Sequence, residues 1–345
     1  MNVKDFNILY LNGNKLELFS SNFNLKNNTL DKNVVLFINQ WINSKNYVIV
    51  ETSGSTGKPK SIKILKQYML ESAKMTCQYF SLQEKDNVLL CMSAKHIGGM
   101  MMIVRAIYAK MNLIVVSPSA NPLKDIDTPI DFLAMVPYQV NKTLEQNTEK
   151  LQKVKKLIIG GGTINYSLEQ KIIKHQISAF HTFGMTETIS HIAIRNIQKG
   201  KIFHCLQGIS VAKNKDNSLV INAPTIGQAH LETNDIIELI DAHSFIWKGR
   251  KDFAIESGGV KMHPEMIEQK LASFISNRFL VSSLPDDNFN NKLILIIEGK
   301  KVNLPKQIFN ALDKYEQPKE VFFIDKFVET ESGKINRFKT TELIK

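Results

Sequence analysis

Short apolar runs separated by stretches of helical periodicity set the strongest limit on what this chain can fold into. Strand-like runs fall at 47–50, 88–92, 113–116, 132–136, 157–159 and 179–183, with helix-like stretches between them at 66–80, 99–110, 138–145 and 167–175. Strands alternating with helices are the mark of βαβ units, so the pattern predicts an α/β domain with a largely parallel sheet. From about residue 191 the helices thin out and short strands dominate, at 191–195, 219–222 and 236–240. A charged break, WKGRKDF at 247–253, precedes a different pattern: helix 264–274, strand 293–298, helix 305–315, strand 321–324. Pro264 and Pro305 suit first-turn helix positions. The expected organisation is a large domain over 1–248 and a small α+β domain over 249–345.

Composition narrows the class. Hydrophobic residues make up 43% of the chain, enough for a sizeable core, so disorder is not expected. The opening MNVKDFNILY carries Lys4 and Asp5 and no long apolar stretch, so it does not read as a signal peptide. The most apolar region, 98–116, is interrupted by Arg105 and Lys110, which argues against a membrane span. A soluble cytoplasmic protein is expected. Cys77, Cys91 and Cys205 are odd in number and unpaired in spacing, and read as reduced structural thiols. The net charge of +11 would suit nucleic acid or small anions drawn into a cleft. Codon bias toward Lys, Asn and Ile explains much of it equally well. Lys150, Lys153, Lys155 and Lys156 read as a solvated helix face and turn, and no basic run interleaves with aromatics, so nucleic-acid binding is not expected.

Three glycine- and hydroxyl-rich segments follow strand-like runs. The first is ETSGSTGKPK, 51–60. Gly54 and Gly57 let backbone approach a ligand, Thr52, Ser53, Ser55 and Thr56 add hydroxyls, and Lys58 adds charge. Its glycine spacing is too short for a P-loop, and Pro59 biases Lys58 away from helical geometry, so no helix N-terminus opens there. A solvent-exposed turn is the alternative. The second is GGGT, 160–163, which suits a planar ring or phosphate lying against backbone, or merely a tight strand–helix turn. The third is FHTFGMTET, 180–188. Glu187 beside Thr186 and Thr188 offers hard oxygen ligands for Mg²⁺, or alternatively a helix cap.

In order along the chain stand TSGSTGKPK, GGG, FGMTET, TND at 233–235, GRKDFAIESGGVKMHPEMIE at 249–268 and ESGKINR at 331–337. Together they resemble the adenylate-forming superfamily of acyl-CoA synthetases, adenylation domains and luciferases, over about residues 47 to 337. AKHIGGM at 94–100, FLAMVPYQV at 132–140, GMTETISHIAIR at 184–195 and SGGVKMHPEMIE at 257–268 are similar to the o-succinylbenzoate–CoA ligase family within it. Two departures stand out. Only 51 residues precede Thr52, where that family carries a subdomain-sized segment, so a shortened form is expected. Asn234 stands where the family more often has glycine.

The resemblance implies a large N-terminal adenylate-forming domain with parallel or mixed sheets and a mobile C-terminal lid. The implied reaction has two halves: carboxylate attack on the α-phosphate of ATP, then displacement of AMP by the coenzyme A thiol. It would convert o-succinylbenzoate to o-succinylbenzoyl-CoA in menaquinone biosynthesis. By the same resemblance Thr52, Ser53, Gly54, Ser55, Thr56, Gly57 and Lys58 cradle phosphates, and Gly160, Gly161 and Gly162 lie along adenine. Thr182, Gly184 and Met185 belong to the ATP site. Thr186 and Glu187 sit at the α-phosphate, with Glu187 on Mg²⁺. Asp235 and Arg250 hold the ribose, and Lys334 is the adenylation lysine. Asp252 is the hinge, and Gly258 and Gly259 line the coenzyme A channel. His96 resembles a gate beside the acyl site. Lys95, Ser190 and Arg195 are candidates for the acid's second carboxylate. Partners would be small molecules only, with oligomeric state open. The competing expectations are a ligase for another aryl or alkyl acid, and a nucleotide-binding protein without catalysis.

Overall fold

In the computed structural model the described residues are 1–20, 25, 30–51, 61–329 and 335–344. They form two compact units. The first comprises Met1–Ile164, Lys171–Val211 and Ile221–Leu231, and the second Asn165–Gln170, Ala212–Val220 and Glu232–Lys345.

The first unit is organised by a sheet whose strands lie in the order Phe203–Cys205, His191–Asn196, Ala179–Gly184, Lys156–Ile159, Phe132–Met135, Asn87–Leu90, Asn112–Val115, Ile8–Leu11, Asn14–Glu17. The strands from Ala179–Gly184 through Ile8–Leu11 pair in parallel. Each end of that block is finished by antiparallel pairing. The α/β reading therefore holds. The central strands are near-continuous apolar runs, as parallel strands covered on both faces must be. Val88, Leu89, Leu90, Phe132, Leu133 and Leu157 are all fully buried.

The strand-like run at 47–50 does form a strand, but in a different sheet from the parallel one. Tyr47–Glu51 pairs antiparallel with Ser61–Leu65 in a separate two-stranded sheet. Its burial alternates residue by residue, the signature of a half-buried strand rather than a central one.

The helix Ile97–Ala109, IGGMMMIVRAIYA, lies almost wholly in the core from Gly99 onward, Arg105 included. Among the described residues no helix is long and apolar enough to cross a membrane.

In the second unit the part of the strand Gln228–Asp241 from Asp235 onward pairs antiparallel with Ser244–Arg250, with Asp235 opposite Arg250. Further along, Phe279–Asp286, Asn290–Glu298 and Glu320–Ile324 form a mixed three-stranded sheet. Ile267 and Leu271 of the helix Pro264–Leu271 pack with Val281, Leu293, Leu295 and Ile297 in one core. The expected helix over 305–315 is only a 3-10 segment, Lys306–Ala311. Leu312 is extended, at φ −107° and ψ 145°, and Asp313 opens a turn closed by Glu316. Asn310 and Asp313 are poor helix-interior residues because their side chains compete for backbone groups, which explains the early stop.

Candidate active site

In the first unit, several sequence motifs fall at the carboxyl ends of the parallel strands, the edge where open α/β sheets bind ligands. Gly160, Gly161 and Gly162 follow Lys156–Ile159, and Met185, Thr186 and Glu187 follow Ala179–Gly184. Lys95 and His96 stand in the connection from Asn87–Leu90 to the helix Ile97–Ala109. Two side chains tie the glycine segment to the neighbouring strand. Thr182 Oγ1 donates to Ile159 O at 3.2 Å, and a Cβ at Gly160 would lie 2.5 Å from that hydroxyl. Gly161 has φ +75°, a conformation that favours glycine.

His181 supports the same segment. Its ring nitrogen Nε2 lies 3.3 Å from Gly162 O, and Arg195 Nε donates to its Nδ1 at 3.4 Å. Desolvation and the Arg195 charge lower the His181 pKa to about 3, so the ring is neutral and its hydrogen sits on Nε2, facing the carbonyl. Arg195 also donates to Gly200 O at 3.0 Å and lies over the Phe203 ring. The structure thus places Arg195 against the glycine segment's support and Ser190 elsewhere.

The turn after Gly184 is tightly specified. The Thr188 hydroxyl, fully buried, accepts from Met185 N at 3.0 Å and lies 2.8 Å from Ser190 O. Ile189 has φ +68°, an uncommon strain for a β-branched residue of the kind that collects at functional sites. Glu187 is exposed, and its carbonyl accepts from Gln228 Nε2 at 2.9 Å. Among the described residues no group of three or more His, Cys, Asp or Glu could hold a metal. One carboxylate beside the Thr186 hydroxyl still fits Mg²⁺, which commonly takes one or two protein carboxylates and completes its shell with water and phosphate.

At the far end of this turn lies a residue the sequence reading missed. Arg105 is fully buried and no carboxylate faces it among the described residues. Its Nη2 donates to Ser190 Oγ at 2.7 Å, Nη1 reaches only Met102 Sδ at 3.8 Å, and Nε has no partner. Burial lowers its pKa to about 10, so it remains a cation at neutral pH. The signal was present: a lone arginine in MMMIVRAIYA with no acid within a helical turn. Lys95, by contrast, is exposed and lies 3.9 Å from Glu51, and His96 is exposed at the helix start.

In the second unit Asp235, Arg250 and Asp252 form one cluster. Asp235 Oδ1 accepts from Trp247 Nε1 at 2.8 Å, and its Oδ2 lies 3.5 Å from Arg250 Nη1. Burial pushes the Asp235 pKa up, against the pull of Trp247 and Arg250. Arg250 donates to Asp252 Oδ2 through Nε and Nη2. Asn234 donates to Asp252 Oδ1 at 2.9 Å, so the residue that departs from the usual glycine is bonded to the predicted hinge. Gly258 and Gly259, at φ +57° and +79°, turn the hairpin between Ile255–Ser257 and Val260–Met262. Thr52, Ser53, Gly54, Ser55, Thr56, Gly57 and Lys58, and also Lys334, lie outside the described residues.

Glu265, at the start of Pro264–Leu271, is buried beneath Gly249; its Oε1 accepts from Arg250 N at 3.3 Å and its Oε2 has no partner. Burial pushes its pKa from 4.5 to about 7. The unfolded chain therefore ionises this carboxyl first as pH rises. Stability is lost between about pH 4.5 and 7, by roughly 3 kcal/mol at most. Glu265→Gln should remove that slope. Urea midpoints at pH 5 and pH 8 check this: the variant should gain on wild type at pH 8, and equal pH dependence in both would refute it.

The fold is that of an α/β protein, and comparison with known proteins gives its family. The AMP-binding enzyme family matches residues 24–219, more than half of the chain. The chain belongs to that family. It is 26% identical over 320 residues to 2-succinylbenzoate–CoA ligase of Lactococcus lactis, covering 84% of this chain and 69% of the relative. It is 24% identical over 326 residues to the Staphylococcus epidermidis protein of the same name, covering 84% and 68%. Among solved structures it is similar to an acyl-CoA synthetase (AMP-forming)/AMP-acid ligase II-like protein from Dyadobacter fermentans. Identity there is 30%, coverage 94% of this chain and 97% of that one, and the TM-score 0.63. The o-succinylbenzoate CoA synthetase of Bacillus subtilis, solved with its acyl-adenylate intermediate, shares the fold at a TM-score of 0.75 and 20% identity, covering 84% and 68%.

Proposed function

We propose that this chain is an ATP-dependent acid–CoA ligase and that its acid is o-succinylbenzoate, a dicarboxylate. The observation that carries the reading is the turn from Gly184 to His191. Thr186 and Glu187, at one end, fit a nucleotide phosphate and its metal. Ser190, at the other, is bonded to a buried arginine that no carboxylate faces among the described residues. A monocarboxylic acid gives that cation no counter-charge beyond the reacting group. A dicarboxylic acid does, and a guanidinium suits it through paired N–H donors.

In the first half-reaction a carboxylate oxygen of the acid attacks the α-phosphorus of ATP and the bond to pyrophosphate breaks. In the second, the coenzyme A sulfur attacks the acyl carbon, AMP leaves, and the thiol proton passes to solvent. Two anions meet in the first step, so the protein's task is positioning and charge neutralisation. Gly160–Gly162 would lie along adenine, with His181 holding the Gly162 carbonyl. Asp235 would accept from the ribose hydroxyls beside Arg250, and Thr52–Lys58 would hold the outer phosphates. Glu187 and Thr186 would hold Mg²⁺, which supplies charge neutralisation at the phosphates when bound. Lys334 would bridge the reacting carboxylate and phosphate oxygens. Between the steps the C-terminal part, 249–345, would turn about Asp252, withdrawing Lys334 and bringing Gly258 and Gly259 to the pantetheine arm.

The test is pyrophosphate release from ATP and coenzyme A across a panel of acids. The panel includes o-succinylbenzoate and its analogue lacking the ring carboxylate. Release should be strongest with the dicarboxylate. Release with another acid only would keep the chemistry and replace the substrate. Silence across the panel from folded protein would leave a nucleotide-binding protein without catalysis.

A further inference from the structure

Behind Ser190 lies a chain of hydrogen bonds whose directions follow once Thr76 donates to Ser72 O. The Thr76 hydroxyl, buried in the helix Lys66–Phe80, lies 3.2 Å from Ser72 O, a carbonyl that only accepts. Its hydrogen is committed there. His191 Nε2, 3.1 Å from the same Thr76 oxygen, must then be the donor of that pair. A neutral imidazole carries one hydrogen, so Nδ1 is bare. Nδ1 accepts from Ser190 Oγ at 3.4 Å. With its hydrogen spent on His191, Ser190 Oγ accepts from Arg105 Nη2 at 2.7 Å.

We propose that Thr76 and His191 are positioning residues that hold Arg105 as the receptor for the acid's second carboxylate. The proposal rests on the acid reading above. It explains why a buried threonine bonds back onto its own helix, and why a buried histidine stands beside a buried cation. Burial and the Arg105 charge both hold His191 far below its ordinary pKa, so the ring stays neutral and the relay keeps one direction. The relay spends one Arg105 nitrogen on Ser190 and leaves Nε and most of Nη1 for an anion. Ser190 becomes an acceptor, so the second carboxylate draws its hydrogen bonds from Arg105. Selection between a dicarboxylate and its monocarboxylate analogue therefore depends on residues that touch neither.

Thr76→Val keeps the shape of the side chain and removes the oxygen that accepts from Nε2. Two readouts apply to the full-length protein. Nitrogen NMR of the histidines should place the His191 hydrogen on Nε2 in wild type, neutral from pH 6 to 8. In Thr76→Val the hydrogen should shift toward Nδ1. In parallel, kcat/KM for o-succinylbenzoate relative to the analogue lacking the ring carboxylate should fall about tenfold, the scale of one lost charge-assisted hydrogen bond. Thr76→Ser should restore both. A wild-type His191 hydrogen on Nδ1, or a Thr76→Val preference within about twofold of wild type, overturns the relay. Arg105→Gln separates the two ideas. If it abolishes the preference while Thr76→Val does not, the relay alone is wrong. If it leaves the preference intact, Arg105 is not the receptor and the relay's role falls with it, while the acid reading stands; a wild type with no preference between the two acids would remove the acid reading itself.

Discussion

An enzyme carrying Lys334→Ala should release pyrophosphate about two to three orders of magnitude more slowly than wild type, at saturating ATP and acid. The expectation follows from the charge problem of the first half-reaction. Negative charge gathers on the acid and the phosphate oxygens as they approach, and a point cation between them acts mainly in the transition state. ATP affinity should change much less than rate, because the outer phosphates and the base have their own contacts. The chain just beyond Lys334 is firmly held. Glu329 and Ile335 bridge, and Arg337 donates to both Glu268 oxygens and to Val281 O. Arg337 also lies over the Phe253 ring, next to Asp252. Removing one side-chain amine should therefore leave the small sheet and its core intact. Thioester formation from synthetic acyl-adenylate and coenzyme A provides the control. It should survive, since the proposed mechanism uses the lysine only in the first step. Pyrophosphate release within about threefold of wild type would remove Lys334 from the chemistry, whatever its resemblance.

Much of this architecture could be read from the residue pattern, for identifiable reasons. A parallel strand buried on both faces is written as an apolar run, and 88–92, 132–136 and 157–159 all became central strands. Strand ends that carry glycines and hydroxyls then had to meet along one edge, because parallel strands share a direction. The run at 47–50 misled because its length and composition suit either kind of strand. Its partner is the next strand along the chain, Ser61–Leu65, and not a strand of the parallel sheet. The helix over 305–315 failed where Asn310 and Asp313 outweighed the apolar spacing of Ile308 and Leu312.

The site was less legible than the fold, and tertiary contacts explain the difference. Arg105 was read as an interruption in an apolar stretch. What distinguishes it is its bond to Ser190, a residue 85 positions away. The Trp247 bond to Asp235 and the neutral His191 likewise exist only through partners far apart or across a strand pair. Asn234 was noted as a departure without a role, and its bond to Asp252 now supplies one.

Among the described glycines of the first unit Gly184 is the most tightly enclosed, and Gly184→Ala should be the most damaging alanine substitution among them. A Cβ at this position would lie 2.5 Å from His191 Cα and closer still to Ser190 O. Both obstacles are backbone, and His191 is the residue paired with Gly184 across the strands, so no rotamer change relieves the clash. The following turn has little slack. Thr188 already pins Met185 and Ser190, and Ile189 is already left-handed. Overpacking of this kind costs about 1–3 kcal/mol, which lowers the melting temperature of a unit this size by roughly 2–4 °C per kcal/mol. The rate should suffer more than the stability. Thr186 and Glu187 on one side and Ser190 with Arg105 on the other all hang from this turn. A displacement of about 1 Å there can cost 10²-fold. Gly98→Ala is the matched comparison. Its Cβ meets only the end of the Met92 side chain, Cε at 3.6 Å and Sδ at 4.0 Å, within a helix, where alanine is worth up to about 1 kcal/mol over glycine. Thermal melts should therefore move in opposite directions for the two variants. A Gly184→Ala enzyme with wild-type melting and wild-type pyrophosphate release would mean that the strand pair opens freely. The turn would then not be what holds the acid and nucleotide sides in register.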